Sequence, residues 1–159
     1  MMLEGSCRCG TVSFSVDAYA PVPYMRCYCS ICRKVAGGGG YAINLGAYAD
    51  SLKVRGADAL TDYQAEIDGA LSPMKRVFCR HCGTALWGSD PRWPDLVHPF
   101  ASAIDTPLPQ APHSDHIMLD FKAPWVKIEL QPGDRTFAGY PDQSLEDWHK
   151  TNGLYAGRE

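Results

Sequence analysis

No stretch of this sequence approaches the roughly 18 consecutive apolar residues that a membrane span requires. The opening Met1-Met2-Leu3-Glu4-Gly5 lacks both the basic and the apolar segment of an export signal, so a cytoplasmic protein without membrane contact is expected. Positive charge is not in surplus either. The 15 Lys and Arg stand against 18 Asp and Glu, a formal net charge of −3, which argues against a nucleic-acid partner held by bulk electrostatics. Long helical patterns are scarce: 15 Gly and 12 Pro punctuate 159 residues, and no amphipathic helix is available before the C-terminal end. There is no internal repeat and no linker. Hydrophobic residues make up 45% and charged residues 21%, which excludes a disordered chain, so residues 1–159 are expected to form one domain.

What the sequence has in excess is cysteine. Cys7, Cys9, Cys27, Cys29, Cys32, Cys79 and Cys82 are seven thiols, and an odd number in a chain without an export signal points to metal rather than to disulfides. They fall into three clusters, Cys7-Arg8-Cys9, Cys27-Tyr28-Cys29-Ser30-Ile31-Cys32 and Cys79-Arg80-His81-Cys82. A structural zinc needs four donors at about 2.3 Å, and two ligands on one tight turn add little loop-closure entropy, so sites are built from pairs on distant segments.

Spacing alone does not fix which clusters combine. Cys9 and Cys82, however, are each followed by Gly (Gly10, Gly83), the residue that lets a knuckle turn back sharply. Cys7, Cys9, Cys79 and Cys82 then form a closed four-thiolate zinc site. Cys27, Cys29 and Cys32 are left over, three protein ligands with a fourth position for water or substrate, the composition of a catalytic zinc site. Arg33 and Lys34 follow directly as candidate cations for a carboxylate-bearing ligand. Residues 37–40 are four glycines, read either as a backbone approach for a ligand or as a surface turn. The competing reading of Cys29-Ser30-Ile31-Cys32 is a redox C-x-x-C pair, which would be expected to open a long helix in a βαβ unit.

Apolar and polar residues alternate over 11–16, the signature of a half-buried strand, and short strands are expected at 41–45, 52–55, 74–78, 84–87, 95–100 and 117–121. Ser144 and Asp147 form an S-x-x-D cap for a short helix at 145–150. His113 and His116 follow a proline-rich loop and read as solvated surface. His81 and His98 read as packed residues near the metal rather than as ligands, and the four tryptophans mostly as core or pocket wall.

Three motifs, Gly5-Ser6-Cys7-Arg8-Cys9-Gly10, Cys27-Tyr28-Cys29-Ser30-Ile31-Cys32-Arg33-Lys34 and Val77-Phe78-Cys79-Arg80-His81-Cys82-Gly83-Thr84-Ala85-Leu86, resemble in order and spacing the glutathione-dependent formaldehyde-activating enzyme family. Ile104-Asp105 and Lys122-Ala123-Pro124-Trp125 extend the resemblance over about residues 5–125. It implies a mainly β, β-tent zinc fold of several small antiparallel sheets with zinc knuckles and a short C-terminal helix. It also implies one structural zinc on the first and third clusters and a second, labile or catalytic, on the middle trio. The implied activity is condensation of formaldehyde with glutathione to S-hydroxymethylglutathione, a carbon-sulfur lyase reaction read in reverse, with glutathione as the small-molecule partner. Tyr28 departs from the family pattern, which commonly has His between the first two cysteines of the trio. A zinc-stabilised thiol- or protein-binding module without turnover is the alternative. A peptide methionine sulfoxide reductase would need a redox cysteine after the third cluster, and none follows Cys82.

Overall fold

The computed structural model describes residues 1–158, and its secondary structure is mainly β. In chain order the strands are β1 (Met2–Ser6), β2 (Ser13–Ala20), β3 (Met25–Cys27), β4 (Ala42–Ile43), β5 (Gly46–Tyr48), β6 (Lys53–Arg55), β7 (Leu60–Ile67), β8 (Ala70–Cys79), β9 (Ala85–Ser89), β10 (Leu96–Pro99), β11 (Asp115–Ile117) and β12 (Arg135–Thr136). Two short helices, α1 (Ser30–Val35) and α2 (Leu145–Thr151), complete the regular structure with a few 3₁₀ turns.

The larger sheet runs β1-β2-β5-β10-β9-β8-β7, with β6 added against β2, and all of its pairs are antiparallel. The alternation that marks 11–16 in sequence places Phe14 and Val16 inward, where they join Leu3, Val12, Leu45, Leu86, Trp87 and Val97 in the main core. Phe14 meets Trp87 edge to face at 5.1 Å. Each such side chain contributes about 1.5–3 kcal/mol by leaving water.

The smaller sheet, β12-β11-β3-β4, is mixed: β11 pairs parallel with both β3 and β12, while β3 and β4 are antiparallel. Alternation along its strands sorts side chains to two sides. Met25, Cys27, Asn44 and Ile117 line one cleft, whereas Arg26, Tyr28, Tyr41 and His116 line another.

Several elements depart from expectation. The strand expected at 117–121 stops at Ile117 because the amides of Met118, Leu119 and Asp120 donate to carbonyls of Gly139, Phe137 and Ala138, and the chain turns there. His116 is not solvated but 1% exposed, since β11 is the inner strand between β3 and β12. Of the tryptophans, Trp87 and Trp148 are core and Trp93 walls a cleft, as expected, whereas Trp125 is exposed. The C-terminal helix forms as expected, with Ser144 Oγ accepting from the Asp147 amide at 3.0 Å. Its Trp148 is fully buried and stacks on Tyr24 at 3.6 Å. No described helix is long and apolar enough to cross a membrane.

Candidate metal centres and active-site cleft

The first and third cysteine clusters are the turns of two hairpins. Cys7 and Cys9 lie in the β1–β2 turn, while Cys79 ends β8 and Cys82 lies in the β8–β9 turn. Gly10 and Gly83 adopt φ of +78° and +73°, and their amides donate back to the carbonyls of Cys7 and Cys79 at 3.0 and 2.8 Å. The left-handed conformation at each position is the sharp reversal that the two glycines signalled in sequence. The turns meet: the Arg8 amide donates to Thr84 Oγ1 at 3.1 Å, and the Cys9 and Cys79 sulfurs are 3.8 Å apart.

The four sulfurs lie within 4.8 Å of one another. A tetrahedral zinc with bonds of about 2.3 Å needs sulfurs about 3.8 Å apart, so the donor set fits the ion in number, chemistry and spacing. Thiolates are the ligating form. The Thr84 hydroxyl and the Thr84 amide draw Cys82 down to about 5, and Thr11 draws Cys9 below the ordinary thiol value. Burial pushes Cys79 up.

Cys27, Cys29 and Cys32 form the second group, again with sulfurs within 4.8 Å. Cys27 ends β3. Cys29 caps α1, and its sulfur accepts from the Cys32 amide at 3.3 Å. Donation from the Cys27 and Cys32 thiols holds Cys29 well below its ordinary value and raises Cys27 correspondingly, so the trio as a whole stabilises a thiolate at Cys29. No fourth His, Cys, Asp or Glu joins the trio among the described residues. His98 instead holds its Nδ1 3.2 Å from the Leu45 carbonyl, and burial lowers its pKa. His81 lies in the third knuckle, outside both sulfur groups.

The trio opens onto a cleft of about 680 Å³ between the two sheets. The small sheet supplies Met25, Asn44 and Ile117. Strand β8 supplies Ser72, Met74 and Arg76, alternate residues that share one face. Asp90 to Trp93 and Tyr140 to Leu145 close two further sides. Arg33 and Lys34, expected to face a ligand, do not line this cleft, whereas Ser30, Ile31 and Cys32 of the same helix do. The glycine run is likewise not part of it. A Cβ on Gly40, which has φ +90°, would come within 2.4 Å of Val126 Cγ2, so that glycine serves close packing within the chain.

Two features of the site were not foreseen. Arg76 was detectable: within the expected strand 74–78, Met74, Arg76 and Phe78 share a face, which puts a cation among apolar neighbours. The cleft wall from the C-terminal segment had no such signal, because Tyr140, Gln143 and Ser144 carry no period.

The sequence model described as "Glutathione-dependent formaldehyde-activating enzyme" matches residues 2–120. A Halomonas elongata protein, provisionally named as a glutathione-dependent formaldehyde-activating enzyme, is 60% identical over 157 residues, covering 99% of this chain and 100% of that one. A crystal structure of a Rhodobacter sphaeroides protein superposes with a TM-score of 0.51 at 31% identity, over 67% of this chain and 91% of that one. With its two cysteine groups gathered as the motifs require, and with these matches over most of its length, the chain belongs to the glutathione-dependent formaldehyde-activating enzyme family.

Proposed function

We propose that residues 1–159 act as one zinc-binding domain that catalyses, in the cytoplasm, the addition of the glutathione thiol to formaldehyde. The thiol sulfur forms a bond to the carbonyl carbon, the carbonyl π pair moves to oxygen, and the thiol proton ends on that oxygen, giving S-hydroxymethylglutathione with all atoms accounted for. The reverse reaction breaks the carbon-sulfur bond, which makes this a carbon-sulfur lyase. Cys7, Cys9, Cys79 and Cys82 are the ligands of a structural zinc in this reading, and Cys27, Cys29 and Cys32 the ligands of the functional one.

The observation that carries the reading is the trio itself: three thiols at the floor of a 680 Å³ cleft with no fourth protein donor among the described residues. Zinc held by three thiolates with an open position supplies Lewis acidity toward a carbonyl or keeps an incoming thiolate available at neutral pH. The chain's own part is to exclude bulk water and to orient the thiol. Apolar Met25, Met74, Ile117 and Trp93 do the first, and the polar groups of the cleft do the second. The C-x-x-C pair gains no support as a redox centre, because α1 is only six residues long and β3 has no βαβ partner through it.

The test compares wild type with Cys29→Ala by zinc content, calorimetric glutathione binding and magnetic-resonance detection of the adduct. Wild type should hold two zincs, bind glutathione and accelerate adduct formation; the variant should fold, keep one zinc and do neither. A wild type that binds glutathione without accelerating the reaction would be a thiol-binding module instead.

A further inference from the structure

Among the described residues, one buried arginine between the two sheets leaves two of its three guanidinium nitrogens without a hydrogen-bond partner. Arg76 is 7% exposed on β8 and lines the same cleft as the cysteine trio, and its Nε and Nη1 atoms have no hydrogen-bond partner. The acidic side chains of the cleft do not serve it. Both oxygens of buried Asp90 face Arg92, at 2.9 and 2.6 Å, while Glu66 and Asp68 stand exposed. The three cysteines are the other candidates, since thiolates in the same cleft would attract a cation at a distance. No sulfur comes within hydrogen-bonding reach of either orphan nitrogen, however. On the opposite wall, the buried Oδ1 of Asn44 is also unpartnered.

A guanidinium removed from water without a counter-charge is strongly unfavourable, and its planar fork matches a carboxylate two bonds at a time. An acceptor such as Asn44 Oδ1 complements an amide N–H. The two orphans thus describe a ligand with a carboxylate and an amide, in a cleft whose floor is made of thiols. We infer that Arg76 binds a carboxylate of the thiol substrate and that Asn44 accepts from one of its amide N–H groups. The cleft therefore selects carboxylate-bearing, peptide-like thiols over neutral ones. This rests on the reading above that the cleft takes a glutathione-like thiol, and it supplies the anion contact that Arg33 and Lys34 do not make there.

The experiment measures calorimetric binding of glutathione and of glutathione diethyl ester, in which both carboxylates are masked, to zinc-loaded wild type and Arg76→Met. Wild type should bind glutathione at least tenfold more tightly than the diester. Arg76→Met should bind both alike, at the diester's level, with zinc content unchanged and a melting temperature no lower than wild type, because it removes a buried charge that has no partner. Equal weakening of both ligands by Arg76→Met would make the arginine a counter-ion of the thiols and overturn the inference, as would a wild type that does not distinguish the diester. Should Arg76→Met be insoluble, Arg76→Lys makes the same comparison: a point charge replaces the fork, and the preference for free glutathione should fall at least threefold with diester affinity unchanged. An undiminished preference in that variant overturns the inference. Failure of wild type to bind glutathione at all would overturn both this and the proposed function, whereas glutathione binding without ester discrimination overturns this alone.

Discussion

The Tyr28 hydroxyl lies 2.9 Å from His116 Nδ1, and the far side of the same imidazole, Nε2, lies 3.2 Å from Asp134 Oδ2. Tyr28 sits between two cysteines of the trio but faces the opposite side of the small sheet, so this chain of three side chains braces the strand that carries Cys27. Asp134 also accepts from the amides of Gln131 and Ser114, at 3.0 and 2.7 Å. Burial alone would raise its pKa, but these donors and His116 hold it below the usual carboxylate range. Asp134 is therefore the acceptor for Nε2–H, which leaves Nδ1 to accept from the tyrosine.

Tyr28→Phe keeps the ring contact with Tyr41 and removes only the hydroxyl, stranding Nδ1 of a histidine that is 1% exposed. The expected loss is about 1–3 kcal/mol of unfolding free energy in urea, with metal content unchanged from wild type. A variant as stable as wild type would show that the hydroxyl is not holding His116.

The hairpin knuckles bring together four sulfurs from segments about seventy residues apart, and under the proposed structural zinc site metal binding there is folding energy. Cys79→Ser is expected to be insoluble or unfolded, while chelator treatment of wild type should remove the trio's zinc first and leave the fold intact. Circular dichroism and zinc content on the same samples decide it. A Cys79→Ser protein with wild-type melting and a full complement of zinc would refute the assignment.

The knuckles were legible because their chemistry is local: two cysteines and a glycine within five residues specify the turn before any tertiary contact forms. Strand β2 was legible for a similar reason, its buried and exposed positions alternating. Strand β7 was not, because Asp62, Gln64 and Glu66 occupy one face and Ala65 is its only buried side chain, so no hydrophobic period marks it. Helix α1 hid behind the glycines that follow it. His116 misled because the residues before it, His113, Ser114 and Asp115, are polar, while its burial comes from β3 and β12, strands some ninety and twenty residues away.

His149 gives the stability a pH dependence of definite sign. Its Nε2 accepts from the Val22 amide at 3.0 Å and its Nδ1–H donates to the Leu145 carbonyl at 2.7 Å, so both ring nitrogens are used by the neutral form. Burial depresses its pKa, with the Leu145 carbonyl opposing in part. As pH falls below the unfolded value of about 6.5, the unfolded chain takes up a proton that the folded chain refuses. Stability is thus full above that pH and declines below it, by up to about 1.4 kcal/mol per pH unit, until the folded pKa is reached. Urea denaturation from pH 7.5 to 5 should show a shallower slope in His149→Gln than in wild type, a comparison in which His98 and the cysteine groups contribute equally to both proteins. Parallel slopes would remove His149 as the cause.

Arg135 links the small sheet to the segment that walls the cleft. Its Nε and Nη2 meet the two oxygens of Asp115 at 2.9 and 2.6 Å, and its remaining donors reach Asp142 at 3.0 Å and Gln143 at 3.1 Å. The contact with the exposed Asp142 adds little. The contact with Asp115 is different, because that carboxylate is fully buried and the bidentate arginine offsets its desolvation. Arg135→Ala is expected to lower stability by about 3–5 kcal/mol, since it strands the carboxylate, whereas Asp115→Asn/Arg135→Ala together should recover much of that loss by removing the charge as well. Because Gln143 lines the cleft, the single variant should also weaken glutathione binding at temperatures where it is still folded. Additive losses in the double variant would mean that the two residues act independently, and the bracing role assigned to the pair would fall.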